Sequence, residues 1–218
     1  MAPLLLTICL IESIAGSVNA TYSHDANGNV ITDNRKNLQI RYNLLNLTQN
    51  VSEQGVKKAS YTWIADGTKA ATKEENSSSQ EGLSYLGSMV YSLSQGSYTL
   101  ESVAFGEGVV FHQTGIYSPY YYTTDHLGSI RVMTDPAGSV VEQNDYYPFG
   151  ERTEMGAQYP MLDKNRYKYN GKEEQTIANI GYLDYGTRFY DPTITRWLGV
   201  DPLCREILFY LTLCLLHQ

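Results

Sequence analysis

The sequence predicts an all-β fold of consecutive antiparallel hairpins, and three observations lead there. Turn residues punctuate residues 120–203 every few positions, in the runs TD-x-x-G, DP-x-G, YPFG, YNG, YGTRFYDP and a last DP. Short β-rich runs bounded by Gly, Pro, Asn and Asp read as hairpins, and no helix of ordinary length fits between such breakers. Tyrosine is over-used, at 19 of 218 residues against 5 Phe and 2 Trp. A large ring that keeps a hydroxyl suits sheets whose faces are partly wet better than a greasy two-layer core. Finally, the pattern Y-x-x-D-x-x-G-[NS]-[VI] occurs at residues 22–30 and again at 122–130, so the chain repeats itself.

Taken in order, residues 1–20 carry an apolar run at 4–11 followed by small and polar residues. They make a weak signal-peptide candidate, because no positively charged segment precedes the run. The run is also too short to span a bilayer. In the repeat, Tyr ends a strand, Asp25 or Asp125 accepts hydrogen bonds from turn amides, Gly28 or Gly128 takes positive φ, and a β-branched residue starts the return strand. Residues 61–69 (YTWIADGTK) form a looser third copy with its Asp-Gly later. Residues 38–47 alternate in part and read as a half-buried strand turned at 46–48. Residues 70–82 are polar and read as an exposed hairpin loop. Strands are expected at 88–93, 97–105 and 108–112.

Ser129 to Thr134 is the next expected strand, and Asp135-Pro136-Ala137-Gly138 is a β-turn in which Pro presets φ. Residues 139–146 return, 148–150 break the strand, and 151–165 are irregular. Residues 166–169 form a short strand ended by Asn170-Gly171, the strongest short hairpin signal. Residues 182–190 form a strand pair or a bulged strand ended by Asp191-Pro192. Residues 196–198 are the last β segment before Asp201-Pro202.

The net charge is −7. An acidic chain without a Lys/Arg run argues against a nucleic-acid partner, because phosphate contacts need clustered cations. Cys9, Cys204 and Cys214 are too far apart to form a disulfide framework or a metal pair. The four histidines lack metal-ligand spacing, and no nucleophile elbow, P-loop or dinucleotide fingerprint is present. The expectation is no enzyme, no cofactor and no metal. The aspartates Asp25, Asp125, Asp135, Asp191 and Asp201 read as turn formers. The tyrosines at 120–122 and 146–147 read as cross-strand packing, with stacking on sugars as the alternative.

Four blocks, DHLGSIRVMTDPAGSVVEQNDYYPFGE, RYKYNGKE, GYLDYGTRFYDPTITRWLGVDPL and the YYYTT before them, resemble the Rhs repeat-associated core of bacterial YD-repeat proteins. A weaker YD-repeat resemblance reaches back to about residue 22. The resemblance divides the chain into 1–20, YD-repeat-like hairpins at 21–117, the core at 118–203, and an apolar tail at 204–218 where the likeness stops. A back-translation of the tail, read one nucleotide on, gives EKYYSISPYAYC, which the family would place there. The tail is therefore expected to be a frameshift product and the chain a truncated gene product.

The resemblance implies an open, curved fragment of an Rhs-type β-shell, too short to close. It implies a structural role in a secreted or cell-surface toxin-delivery protein, whose shell sheathes a C-terminal toxin absent here. The family's self-cleaving aspartates lie past the point of divergence and are not carried over to Asp191 or Asp201. Exposed sheet edges imply self-association. The alternative function is a secreted or wall-associated module that binds cell-surface glycans.

Overall fold

The computed structural model describes residues 22–75, 81–113, 115–153 and 164–203. The apolar start at 1–20, the tail at 204–218, the tip of the polar loop at 76–80 and most of the irregular stretch at 151–165 lie outside the described residues. The fold is all-β, as expected, and the described helical residues are two short 3-10 turns, Tyr169–Gly171 and Ile177–Asn179.

Thirteen strands follow one another in a single antiparallel meander. They are β1 Tyr22–His24, β2 Val30–Asp33, β3 Leu38–Tyr42, β4 Thr48–Glu53, β5 Val56–Trp63, β6 Lys69–Glu74 and β7 Gly82–Leu86. They continue as β8 Met89–Ser94, β9 Ser97–Phe105, β10 Gly108–Gln113, β11 Ile116–Thr124, β12 Ile130–Thr134 and β13 Val140–Gln143. Each strand pairs only with its neighbours in sequence, so the sheet is open, with β1 and β13 at its edges. Register shifts recur along it, as between Arg41 and Tyr42 and between Val90 and Tyr91. Each extra residue bends its strand, and the sheet curves.

One loop builds most of the hairpins at the repeat signatures. Loops 25–29, 43–47, 64–68, 125–129 and 135–139 share a pattern: the first amide donates to the fifth carbonyl, and the fourth amide donates to the first carbonyl. The fourth residue is always left-handed: Gly28, Asn46, Gly67, Gly128 and Gly138 have φ of 83°, 59°, 86°, 79° and 83°. This is a type I turn closed by an αL residue. The stretches 147–151 and 168–172 repeat the same two bonds. At 43–47 the loop corrects the expectation of a strand running to residue 47. The Asn43 side chain accepts the amides of Leu45 and Leu47 at 2.9 and 3.0 Å, so the strand stops at Tyr42 and leaves Leu44 and Leu45 in solvent.

A four-stranded sheet forms the second layer: β14 Glu173–Glu174, β15 Leu183–Asp184, β16 Phe189–Asp191 and β17 Arg196–Trp197. Its Ile180, Tyr182, Phe189 and Leu198 pack on Val30, Ile40, Val51, Ala59 and Tyr61 of the first sheet. A smaller cluster, Val109, Phe111 and Met133, lies under β10–β12. A two-layer core rich in aliphatic side chains therefore exists, against the expectation from tyrosine content. The tyrosines line it and turn their hydroxyls to polar partners.

Two further expectations change. Residues 70–74 are strand β6 rather than loop, with Thr72 buried, because both flanks pair, with β5 and β7. Residues 166–169 make a single bridge, Tyr167 to Glu173, because the Asn165 side chain takes the Tyr167 amide at 3.2 Å. Asp191 accepts the Thr193 amide at 3.1 Å at its turn and is at the same time wholly buried. The boundary at 117/118 falls inside β11, so both segments share one sheet.

Candidate functional site

The densest chemistry in the chain lies between the two layers. Loop 34–37 puts Arg35 against Asp191, to which it is ion-paired, with Asp33 3.8 Å away. Tyr182 donates its hydroxyl to Asp33 at 2.8 Å. The Lys36 ammonium donates to the Ile180 carbonyl at 2.7 Å and sits 4.2 Å from the centroid of the Tyr182 ring.

Further along, Lys69 lies 2.6 Å from both Glu173 and Asp184. Tyr85 donates to Glu173 at 2.9 Å, and Arg166 bridges Glu173 at 3.0 Å and Glu101 at 2.5 Å. At the far end Lys168 meets Glu142 at 2.5 Å, beside the Asn144 amide.

Burial sets the titration of these groups. It pushes the Glu173 carboxyl up, but Lys69 and Arg166 outweigh it and hold the group below its ordinary value. At Asp191 burial prevails over Lys36 and Arg35, and the carboxyl lies above its ordinary value. Burial pulls the Lys168 ammonium down against Glu142.

The charges are sorted along the sheet. Its first half presents Arg35, Lys36 and Lys69, with the buried Asp33 among them, to Asp191, Glu173 and Asp184. Its second half presents Glu101 and Glu142 to Arg166 and Lys168. Reversing the second layer end for end would set like charges together in a buried space, at several kcal/mol per unpaired ion. The pairing favours the observed placement.

The repeat supplies the grip. Val30, Lys69 and Ile130 each directly follow a five-residue loop. The Val30 amide donates to the Leu198 carbonyl at 2.8 Å and the Ile130 amide to the Lys168 carbonyl at 3.1 Å. Ser129 accepts the Asn170 amide at 3.1 Å. The [NS]-[VI] end of the pattern is thus a docking point as well as a strand start.

The residues singled out in the sequence fall at three places. Asp25 accepts the amides of Asn27 and Asn29, both at 2.9 Å; Asp125 those of Leu127 and Ser129 at 2.9 and 3.0 Å; Asp135 those of Ala137 and Ser139 at 2.9 and 2.8 Å. Burial nudges the Asp25 and Asp125 carboxyls up, and hydrogen bonds, from the Asn29 side-chain amide and the loop amides at Asp25 and from the loop amides at Asp125, bring both below the ordinary range. Gly28, Gly128 and Gly138 close the loops, and Pro136 holds the second position of its own.

Asn170 and Gly171, both with positive φ, lie against the Asp125 loop. Asp191 is in the buried charge cluster and also accepts the Thr193 amide at 3.1 Å, across the turn that Pro192 opens. Asp201 accepts the Leu203 amide at 2.9 Å and pairs with Arg188 at 2.8 Å. Pro202 lines a shallow cavity of about 390 Å³ with Asn27, Asn46, Gly67 and Val200.

Three of the five cluster tyrosines are half-buried and packed, while Tyr121 and Tyr147 stay exposed. Tyr120 tilts against Phe111, Tyr122 donates to Asn165 at 2.9 Å, and Tyr146 donates to the Ile130 carbonyl at 3.0 Å. No group of three His, Cys, Asp or Glu able to hold a metal occurs among the described residues. Sequence reasoning missed Asp33, Arg35, Lys69, Glu101, Glu142, Arg166, Lys168, Glu173 and Asp184. The one local signal was a lysine, Lys69, where the other copies carry Val or Ile.

No protein-family model matches the chain. It is 38% identical over 84 residues to toxin subunit YenC1 of Yersinia entomophaga, covering 37% of this chain and 8% of that subunit. It is 35% identical over 71 residues to toxin subunit YenC2 of the same organism, covering 31% of this chain and 7% of that subunit. Salivary gland surface protein 1 of Aedes aegypti is 34% identical over 86 residues, 38% of this chain and 2% of that protein.

Among solved structures, the crystal structure of TcdB2-TccC3 matches with a TM-score of 0.69 and 21% identity, over 82% of this chain and 10% of that one. The Photorhabdus luminescens Tc holotoxin pore matches with a TM-score of 0.68 and 22% identity, over 83% of this chain and 9% of that one. These likenesses establish a shared fold. The chain spans a tenth or less of each of these proteins.

Proposed function

We propose that this chain is a wall segment of an Rhs-type shell, with the inner layer that braces it, in a toxin-delivery protein whose shell encloses a C-terminal toxin. The observation that carries the reading is the second layer. It is clamped by sorted, buried ion pairs across an open meander that shares its fold with TcdB2-TccC3. Every interface carboxylate named above faces a cation, an arrangement that holds surfaces together and leaves no free acid–base pair. In this reading Asp25, Gly28, Asp125, Gly128, Asp135, Pro136, Gly138, Asn170, Gly171, Asp191, Pro192, Asp201 and Pro202 are architectural. A secreted or cell-surface location follows from the same reading.

Replacing the 84-residue stretch of YenC1 that matches this chain with this chain's corresponding residues tests it. The expected result is a folded chimera that keeps the subunit's activity in its toxin. A soluble, folded but inactive chimera would count against the reading. The glycan-binding alternative has less support at Tyr120, Tyr122 and Tyr146, whose rings are half-buried and of which Tyr122 and Tyr146 have protein partners for their hydroxyls, whereas Tyr121 and Tyr147 are 44% and 57% exposed.

A further inference from the structure

The face of the large sheet turned away from the second layer changes character halfway along. Residues paired across strands share a face, so the register sorts every strand. One rung on this face holds Arg41, Asn50, Ser60 and Lys73 on β3–β6, then continues as Gly82, Leu93 and Tyr98 on β7–β9. A neighbouring rung runs through Leu86, Met89, Val103, Val110 and Pro119 on β7–β11. Beside it Phe105 and Tyr121 meet edge to face over Gly108, and His112 stacks on Tyr117 with ring centroids 4.7 Å apart.

From β7 to β11 these positions carry no charged side chain, yet Leu86, Tyr98 and Tyr117 are 62%, 64% and 51% exposed. Five strands about 4.8 Å apart and roughly 20 Å long make about 500 Å². That is the size of the largest apolar patches on monomers, which are often functional.

We propose that this face is a homodimer interface, in which β7–β11 of one copy stack on β7–β11 of a second. Charge argues for the second copy. The chain carries −7, and two copies can approach closely only through a surface where none of that charge would be buried unpaired. The partner must itself present a flat, neutral, aromatic surface, and the same face of another copy supplies it. Two such sheets stack about 10 Å apart with their side chains interdigitated. About 1,000 Å² in total lies at the lower limit of specific interfaces, so the dimer exchanges on dilution.

Sedimentation velocity of the full chain over a hundredfold concentration range tests this. The expected result is a monomer–dimer equilibrium that Val110→Glu shifts to monomer without changing the circular dichroism. Ser23→Lys, on edge strand β1, should leave the dimer intact. If Val110→Glu fails to fold, Tyr98→Lys at an exposed position gives the same reading. A wild-type chain that stays monomeric throughout would overturn the proposal, as would a dimer that survives both face variants or dissolves with Ser23→Lys. Saturable binding of a neutral oligosaccharide to a monomeric chain, lost in Tyr98→Lys, would assign the face to a glycan instead.

Discussion

Lys69 and Glu173, 104 positions apart, lie 2.6 Å from each other with about a tenth of each side chain exposed. Asp184 lies on the other side of the same ammonium, also at 2.6 Å. One cation therefore ties the sixth strand to two strands of the second layer. Removing one member of a buried ion group strands the others, which typically costs about 3–5 kcal/mol. Lys69→Met, similar in length and without charge, is expected to lower unfolding free energy by about that much in urea titrations. Lys69→Met combined with Glu173→Gln and Asp184→Asn should recover a large part of the loss.

Acid should loosen the same interface. The Glu173 carboxyl titrates below its ordinary value of 4.5 in the fold. The stability it contributes is fully present above about pH 4.5 and is lost as the pH falls through the lower folded value. Asp191 has the opposite sign: its raised value means that ionisation costs stability as the pH climbs past the ordinary carboxylate range. Urea midpoints from about pH 6 to about pH 3 should fall on acidification. Glu173→Gln should flatten that fall, and Asp191→Asn should not.

Two glycines with the same backbone should respond differently to a methyl group. Gly128 and Gly150 have φ of 79° and 93°. A Cβ on Gly128 meets open space, whereas on Gly150 it would lie 2.3 Å from the Tyr169 ring. Gly128→Ala should cost about 1–2 kcal/mol, the penalty of left-handed backbone for an L-residue. Gly150→Ala should cost more, because the Tyr169 ring, tilted against Tyr146 at 5.7 Å between centroids, has to move. Thermal melts of the two variants separate the terms.

Loop 64–68 has the backbone of the Asp loops without their acceptor. Ile64 stands where Asp25 and Asp125 stand, and its side chain is half exposed. Ile64→Asp should therefore stabilise the chain by about 0.5–1 kcal/mol, the net worth of a turn hydrogen bond. A melting temperature unchanged or lowered by Ile64→Asp would show that Asp66, which already accepts the Thr68 amide at 2.8 Å, has taken over that role.

By itself the sequence determined the hairpins. A type I turn closed by a left-handed residue needs only an acceptor at one position and Gly or Asn three later, and both are written within five residues. Hence Asp25-x-x-Gly28, Asp125-x-x-Gly128 and Asp135-x-x-Gly138 were legible, and with them the strands on either side. Asn43-x-x-Asn46 obeys the same physics with different letters, so alternation alone carries that strand too far.

Tertiary structure alone decided what the strands bury. Arg35 and Asp191 are 156 positions apart, Tyr182 and Asp33 149, and Lys69 and Glu173 104. No local period encodes such pairs, and a charged residue in a strand reads as solvated until a second layer covers it. The fold settled that question because a buried charge is tolerated only where its counter-charge arrives with it.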